Sequence, residues 1–208
     1  MIHPRADLMV DRVARALNDT PFPEPDRAGL VALARRVMAA RSDRFADEHH
    51  PALLHPLRAV LLLLETEAPE VRSCEAALLL GRDGATARPD AGTVPEVEAP
   101  PEIEAPPEVE ALLGVEEDER LEALLAGPEW LLRAWLAVRL DHLRHLHMWA
   151  GTERTEREIV AASELDGPLA GRVGGRLDRA WTDWLGKAAR YRLAARADRW
   201  SPGEVRTR

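Results

Sequence analysis

The stretch Leu136–Leu146, which reads LAVRLDHLRHL, decides the fold class of this chain. Leucine recurs at positions 136, 140 and 143, and this spacing of three and four residues marks one face of an α-helix. The residues between these leucines are mostly charged or carry an imidazole. The stretch therefore predicts an amphipathic helix with its leucines inside and its polar side chains outside.

The composition extends this prediction to the whole chain of 208 residues. Hydrophobic residues make up 46% of it, enough for a core, whereas aromatic residues make up only 4%. Leucine, alanine, arginine and glutamate dominate, and these are strong helix formers. No alternation of apolar and polar residues stands out as a strand signal. We expect an all-α protein of one domain with extensions, in which the tryptophans are core residues rather than a ligand platform.

The charge and the apolar runs exclude two kinds of partner. A net charge of −8 gives no general attraction to nucleic acid or to an anionic membrane. The first residues, MIHPRADL, are polar, and the apolar runs elsewhere are too short to span a bilayer. We expect a cytoplasmic protein. Its single cysteine, Cys74, excludes an internal disulfide and is interpreted as a buried core residue.

Apolar periodicity and helix-ending residues divide the chain into further predicted helices. Asp26 is the predicted N-cap of the second helix, and Pro56 fits the first turn of the third. Glycines at 167, 171, 174 and 175 are expected to interrupt the later part of the chain. The predicted helices are 6–18, the segment after Asp26, the segment from His55, 69–80, 109–125, 128–149, a segment from about Glu153, and a last one that carries Trp181, Trp184, Leu185 and Tyr191.

A Pro/Glu repeat with a period of six residues interrupts this helical pattern. It reads PEVEAP, PEIEAP and PEVEAL from Pro95 onward. Proline at this density opposes helix and glutamate opposes burial, so an extended, flexible insert is predicted over residues 86–108. The insert is either an acidic docking arm or, as we favour, a repeat-expanded loop with no selected role.

Three separated blocks resemble segments of one known family. They are Pro51–Val60 (PALLHPLRAV), Leu136–Leu146 and Gly167–Gly174 (GPLAGRVG). In this order they are similar to P-Y-I-x-H-P-L-x-V-A, L-A-D-R-L-H-N-M-R-T-L and A-P-L-A-H-R-L-G of the RelA/SpoT-type alarmone hydrolases, a branch of the HD phosphohydrolases. The resemblance implies a helical HD-domain bundle. The predicted division of the chain is an N-terminal helix and Pro-rich connector (1–25), a degenerate HD domain (26–175), and a C-terminal helix and tail (176–208).

The resemblance also implies a metal site that this chain largely lacks. In that family the His of H-P, a His-Asp pair and the Asp of L-A-D-R bind a metal, usually manganese, and the enzyme hydrolyses the 3′-pyrophosphate of guanosine tetra- or pentaphosphate. His55 matches the first ligand. The His-Asp pair falls at Leu80–Gly81, the acidic pair of the active site at Gly84–Ala85, and the last ligand at Val138. These side chains offer no donor atom to a metal.

We therefore expect a non-catalytic member of this class, a pseudo-hydrolase without a metal or other cofactor. It would sense a guanine nucleotide or bind a protein partner. His142 and His145 fall where the family's Asn and Thr contact nucleotide, and His55 and Arg44 complete the candidate ligand-binding set. Arg139 matches a family arginine and either binds phosphate or, as arginines do more often, forms a structural ion pair.

Two other hypotheses remain open. The first is an enzyme, a manganese-dependent nucleotide phosphohydrolase with a rebuilt site of His55, Asp83, Asp141 and His145. Side chains three or four residues apart share a helix face and can chelate a metal. However, placing the leucines of the helix inside points Asp141 and His145 away from where Val138 faces, which disfavours this site. The second is a structural subunit whose acidic Pro/Glu arm tethers a basic partner.

Overall fold

The computed structural model describes residues 4–40, 54–66, 68–80, 104–115, 119–145 and 152–199. Over these ranges every regular element is a helix, which confirms the predicted all-α class. The helices are α1 Pro4–Asn18, α2 Glu24–Ala39, α3 His55–Leu64, α4 Val71–Leu80, α5 Pro107–Leu113, α6 Arg120–Ala126, α7 Glu129–His145, α8 Thr152–Ala161, α9 Gly167–Val173 and α10 Gly175–Arg199, with a π-helical segment, Ala162–Asp166, between α8 and α9.

Helix α7, which contains residues 136–145 of the leucine-rich stretch, lies at the centre of the bundle. It packs against α3 and α4, which also pack against each other, and it contacts α9 and α10. Leu136, Leu140 and Leu143 are buried, as their spacing predicts. Helices α1 and α2 pack against each other and against α3 and α4, respectively. The residues that face α3 from α7 therefore lie in the interior of the protein.

One cluster of buried apolar side chains runs from Ala6 in α1 to Trp181 in α10. Cys74 is fully buried in this cluster, which confirms its interpretation as a core residue. Burial raises the pKa of the Cys74 thiol to about 12, so the thiol is protonated and unreactive at neutral pH.

The tryptophans follow the same prediction where they are described. Trp130 and Trp181 are buried in the core, and Trp135 and Trp184 are partly buried against it. Trp149 lies outside the described residues. The helices that the structure describes include none that combines the length and apolarity needed to cross a membrane.

Several helix boundaries differ from the prediction. Helix α2 begins at Glu24, before the predicted N-cap Asp26, because Pro25 fits its first turn, where a missing N–H costs nothing. Helix α4 begins at Val71 rather than at Pro69. The helix predicted over 109–125 is two helices, α5 and α6, and α5 ends at Leu113 with Gly114 as its C-cap.

Helix α5 begins two residues before the helix predicted from Val109, so the last unit of the Pro/Glu repeat is helical from its first residue. Pro107 lies in the first turn of α5, and Val109 and Leu112 are buried. Proline is tolerated in a first turn, and an apolar pair three residues apart gives the helix one face to bury. The predicted insert of residues 86–108 is therefore wrong at 107 and 108, whereas residues 104–106 form no regular element and the part at 86–103 lies outside the described residues.

The predicted glycine interruption is confined to one place. The backbone stays helical from α8 through the π-helical segment and α9, so Gly167 and Gly171 do not break it. The break lies at Gly174 and Gly175, which have φ of 71° and 65°. Side chains other than glycine rarely adopt positive φ, so this joint between α9 and α10 depends on both glycines.

We expect Gly174→Ala to lower the free energy of unfolding by about 1–3 kcal/mol. Gly174 has φ 71° and ψ −163°, a region almost restricted to glycine, although the space around it would admit a methyl group. The matched control is Gly186→Ala in the exposed interior of α10, where a Cβ also meets no atom within 4 Å. That change should stabilise the protein by about 0.5–1 kcal/mol. Urea denaturation followed by circular dichroism measures both, and equal effects at the two glycines would contradict the prediction.

Candidate functional site around His55

His55 is the first residue of α3 and is almost completely buried, with 2% of its surface exposed. Its neighbours Pro56 and Leu57 are buried as well, because this end of α3 packs against α7. A buried imidazole needs hydrogen-bonding partners, since its polar nitrogens have lost water. Those partners come from α7 and from the next turn of α3.

Asp141 on α7 is the main partner of His55. Its carboxylate accepts a hydrogen bond from Nδ1 of His55, and Nε of Arg58 lies 2.9 Å from one carboxylate oxygen and 3.0 Å from the other. Only 2% of Asp141 is exposed. The opposite charge of Arg58, three residues after His55 on α3, makes this burial tolerable.

The position of Asp141 corrects the sequence prediction, which placed the polar side chains of this helix outside. Val138, Asp141 and His145 are separated by three and four residues, so they share one face of α7. Neighbouring helices cover α7 on more sides than its leucine face, so Asp141 is buried as well. The prediction that Asp141 and His145 face away from Val138 is wrong as well, because the three residues lie on the same face of α7.

The hydrogen bonds determine the charges of this group. Burial by itself raises the pKa of Asp141, but the hydrogen bonds from His55 and Arg58 outweigh it, and the pKa lies below its ordinary value. Burial lowers the pKa of His55, and Asp141 only partly opposes this. At neutral pH the group therefore contains an ionised carboxylate, a guanidinium and a neutral imidazole.

The neutral imidazole of His55 has a defined tautomer. An ionised carboxylate can only accept, so the ring proton lies on Nδ1 and the lone pair on Nε2. The approach of Nη2 of Arg58 to Nδ1 of His55 at 3.0 Å is then a contact between two donors and not a hydrogen bond. Within the part of the chain that the structure describes, Nε2 is buried and has no hydrogen-bond partner. A buried acceptor without a donor is uncommon and requires an explanation.

Two further histidines of α7 lie beside His55. Nδ1 of His145 donates to the backbone carbonyl of Asp141 at 2.8 Å. The ring centroids of His142 and His145 lie 5.5 Å and 5.8 Å from that of His55. One ligand-capable atom from each of His55, Asp141 and His145 lies within 4.8 Å of the other two. We call His55, Arg58, Asp141, His142 and His145 the His55 cluster.

Arg139 does not join the His55 cluster. Its Nε donates to Asp166 at 3.0 Å and its Nη2 lies 2.7 Å from Glu158. These two carboxylates raise its pKa above the ordinary value although burial alone would lower it. Asp166 is the last residue of the π-helical segment, and Trp135 also donates to it. Of the two roles considered for Arg139, the structure shows the ion pair.

The manganese centre implied by the family resemblance does not fit the residues present. Leu80 is buried and Val138 is half-buried against the core, so two of the family's ligand positions hold apolar side chains. Manganese prefers carboxylate and other oxygen ligands, and the carboxylate of Asp141 is already held by Arg58. Arg44 and Asp83, both named as candidate residues, lie outside the described residues.

Arg58 is the functional candidate that sequence reasoning missed. Its distance of three residues from His55 on one helix was the available signal, because such residues are neighbours on the helix surface. The partner that gives Arg58 its role is 83 residues away in the chain. No local pattern indicates such a pairing.

Comparisons of the chain with models of known protein families, with curated proteins and with solved structures gave no match in any of the three.

The stability of the protein should fall as the pH drops below about 6.5, the ordinary pKa of histidine. The folded-state pKa of His55 is lower than this value, so in that interval the unfolded chain binds more protons, and stability decreases with falling pH. Asp141, whose pKa is also lowered, adds a further loss below its ordinary value of 3.8. Urea denaturation between pH 5 and 8, compared with His55→Gln, measures the first effect. An identical pH slope in both proteins would exclude His55 as its source.

Proposed function

We propose that this chain is a non-catalytic member of the HD phosphohydrolase class and works by binding a ligand, either a protein partner or a guanine nucleotide. The observation that carries the proposal is the contact of Arg58 with both carboxylate oxygens of Asp141. The guanidinium supplies a fixed positive charge beside His55, the residue that matches the family's first metal ligand. The charge that a hydrolase obtains from its metal ion is here provided by a side chain.

Hydrolysis of a pyrophosphate by this class requires a water molecule with a lowered pKa and a group that accepts its proton. Among the described residues of the His55 cluster, Asp141 is the only carboxylate, and it already accepts hydrogen bonds from His55 and Arg58. Its lowered pKa makes it a weak base. This arrangement holds α3 and α7 together but is poorly suited to activating water.

The charges near the His55 cluster favour a protein partner over a nucleotide. A guanine nucleotide carries phosphates, which arginine binds well when its guanidinium is available. Arg58 is paired with Asp141, and Arg139 is paired with Asp166 and Glu158. A nucleotide would therefore have to compete with protein carboxylates for both arginine side chains.

The test is an activity and binding measurement on the full chain. Pyrophosphate release from guanosine tetraphosphate is followed with MnCl₂ present, and we expect no release above that of metal and nucleotide alone. Release that depends on manganese and disappears in His55→Gln would overturn the proposal. The His55→Gln protein must keep its helical circular dichroism spectrum for this comparison.

Calorimetric titration then separates the two ligand classes. We expect no heat of binding from guanosine tetraphosphate at millimolar concentration, which leaves a protein partner. Saturable binding that Arg58→Gln weakens would identify a nucleotide as the ligand instead, provided that the control Arg133→Gln, which changes an arginine paired with Glu129, leaves it unchanged.

A further inference from the structure

Two histidines on different helices have their Nδ1 atoms fixed by oxygen acceptors. Nδ1 of His55 donates to the carboxylate of Asp141, and Nδ1 of His145 donates to the backbone carbonyl of the same residue. Each imidazole that donates from Nδ1 carries its lone pair on Nε2. A carboxylate or a backbone carbonyl on the other nitrogen is the usual support of a metal-binding histidine, since it sets the tautomer and the ring orientation.

The second observation is the buried Nε2 of His55. Only 2% of His55 is exposed, and in the described part of the chain this atom has no hydrogen-bond partner. A lone pair buried without a donor is unfavourable. A bound cation would satisfy this lone pair without moving the Nδ1 hydrogen bond to Asp141.

The third observation is that the side chains around His55 lie close to one another. His145 lies edge-on to His55 with 5.8 Å between ring centroids, and His142 lies 5.5 Å from it. Ligand-capable atoms of His55, Asp141 and His145 lie within 4.8 Å of one another. The side chains that α3 and α7 bring together at this point are therefore close enough to share one ion.

We infer that the His55 cluster binds a divalent transition-metal ion such as Zn²⁺ through Nε2 of His55 and Nε2 of His145. Asp141 orients both rings, through its carboxylate for His55 and its carbonyl for His145. Imidazole favours zinc, copper and nickel, whereas magnesium and manganese favour oxygen ligands. The ion would connect α3 to α7 and would not hydrolyse a nucleotide.

This inference is independent of the proposed function, because it concerns metal binding and not activity or partner binding. Full-length protein is stripped with a chelator and titrated with ZnCl₂ and, separately, with MnCl₂ by calorimetry. We expect one zinc ion per chain and no saturable binding of manganese at millimolar concentration. Zinc should also raise Tm, with the rise increasing with zinc concentration, because the ion binds the folded state.

The variants test the ligands directly. His145 is partly exposed, so His145→Gln should fold normally, and it should weaken zinc binding at least tenfold. Arg133→Gln, which changes a side chain paired with Glu129 and not part of the His55 cluster, is the control and should leave the affinity unchanged. His145→Cys in the Co²⁺-loaded protein should add a sulfur-to-cobalt charge-transfer band, which a merely structural residue at 145 would not produce.

Two results would overturn the inference. One is the absence of both zinc-dependent heat and a Tm shift at millimolar ZnCl₂. The other is stoichiometric zinc binding that His145→Gln leaves unchanged, with no charge-transfer band in His145→Cys. Because neither readout involves a nucleotide, failure here leaves the proposed function intact. Manganese-dependent hydrolysis that disappears in His55→Gln would overturn the proposed function and would also contradict the expected absence of manganese binding at the His55 cluster.

Discussion

Replacing Asp141 with alanine should lower the free energy of unfolding by about 3–5 kcal/mol. The change removes the carboxylate that accepts from His55 and Arg58, and it takes the counter-ion Asp141 away from a guanidinium whose side chain is only 18% exposed. Losing one partner of a buried pair costs more than the pair itself contributes, because the remaining charge has been taken out of water. Urea denaturation at pH 7, followed by far-ultraviolet circular dichroism, gives the value.

The control for Asp141→Ala is Glu129→Ala on the same helix. Glu129 also accepts from an arginine, Arg133, at 2.6 Å, but its side chain is 62% exposed. Its loss should cost no more than about 1 kcal/mol. Similar losses for the two variants would contradict the buried position of Asp141.

A double replacement distinguishes the loss of stability that the remaining charge causes from the loss that poorer packing causes. Arg58→Met combined with Asp141→Leu removes both ends of the pair and fills their volume with apolar atoms. Since such replacements are often neutral, the double variant should be more stable than Asp141→Ala. A double variant as unstable as Asp141→Ala would show that the shape of the site, rather than the unpaired charge, causes the loss.

Replacing Trp181 with alanine should lower the free energy of unfolding by about 3–5 kcal/mol as well. Trp181 on α10 is fully buried and contacts Trp184 edge-on, with 6.0 Å between ring centroids. The substitution leaves a cavity at the point where α10 joins the core. The same denaturation measurement applies, with Leu8→Ala at a 69% exposed position as the control, for which the change should stay within about 0.5 kcal/mol.

Trp181→Phe tests how much the polar Nε1 atom of Trp181 contributes to the stability. Among the residues that the structure describes, the buried Nε1 of Trp181 has no acceptor. Phenylalanine removes that donor while keeping most of the apolar volume, so the loss of stability should be clearly smaller than for alanine. Equal losses for phenylalanine and alanine would show that Nε1 has a partner that contributes to stability.

The fold class could be predicted because its signals are local. Leu136, Leu140 and Leu143 repeat at helical spacing, and the structure buries all three in α7. His55 and Pro56 begin α3 as predicted, because a proline in the first turn is a local rule. The helix predicted from Val109 begins two residues earlier, at Pro107, because a proline is again tolerated in the first turn.

The candidate site could be predicted only in part. His55, His142 and His145 are visible in the sequence, but burial of Asp141 depends on Arg58, which the chain brings to it across 83 residues. The same holds for Arg139, whose partner Asp166 is 27 residues away. Resemblance to a family indicates where ligands should be, and it does not indicate which new pairs form when those ligands are replaced.

The long chain separation between Arg58 and Asp141 has a consequence for how the protein tolerates change in length. The Pro/Glu repeat lies between these two residues, so folding must bring together the two ends of a segment that contains it. The entropy of closing such a segment grows only with the logarithm of its length, and one more or one fewer six-residue unit changes it by less than about 0.1 kcal/mol. The number of repeat units outside α5 can therefore drift with little effect on the ion pair that joins α3 to α7.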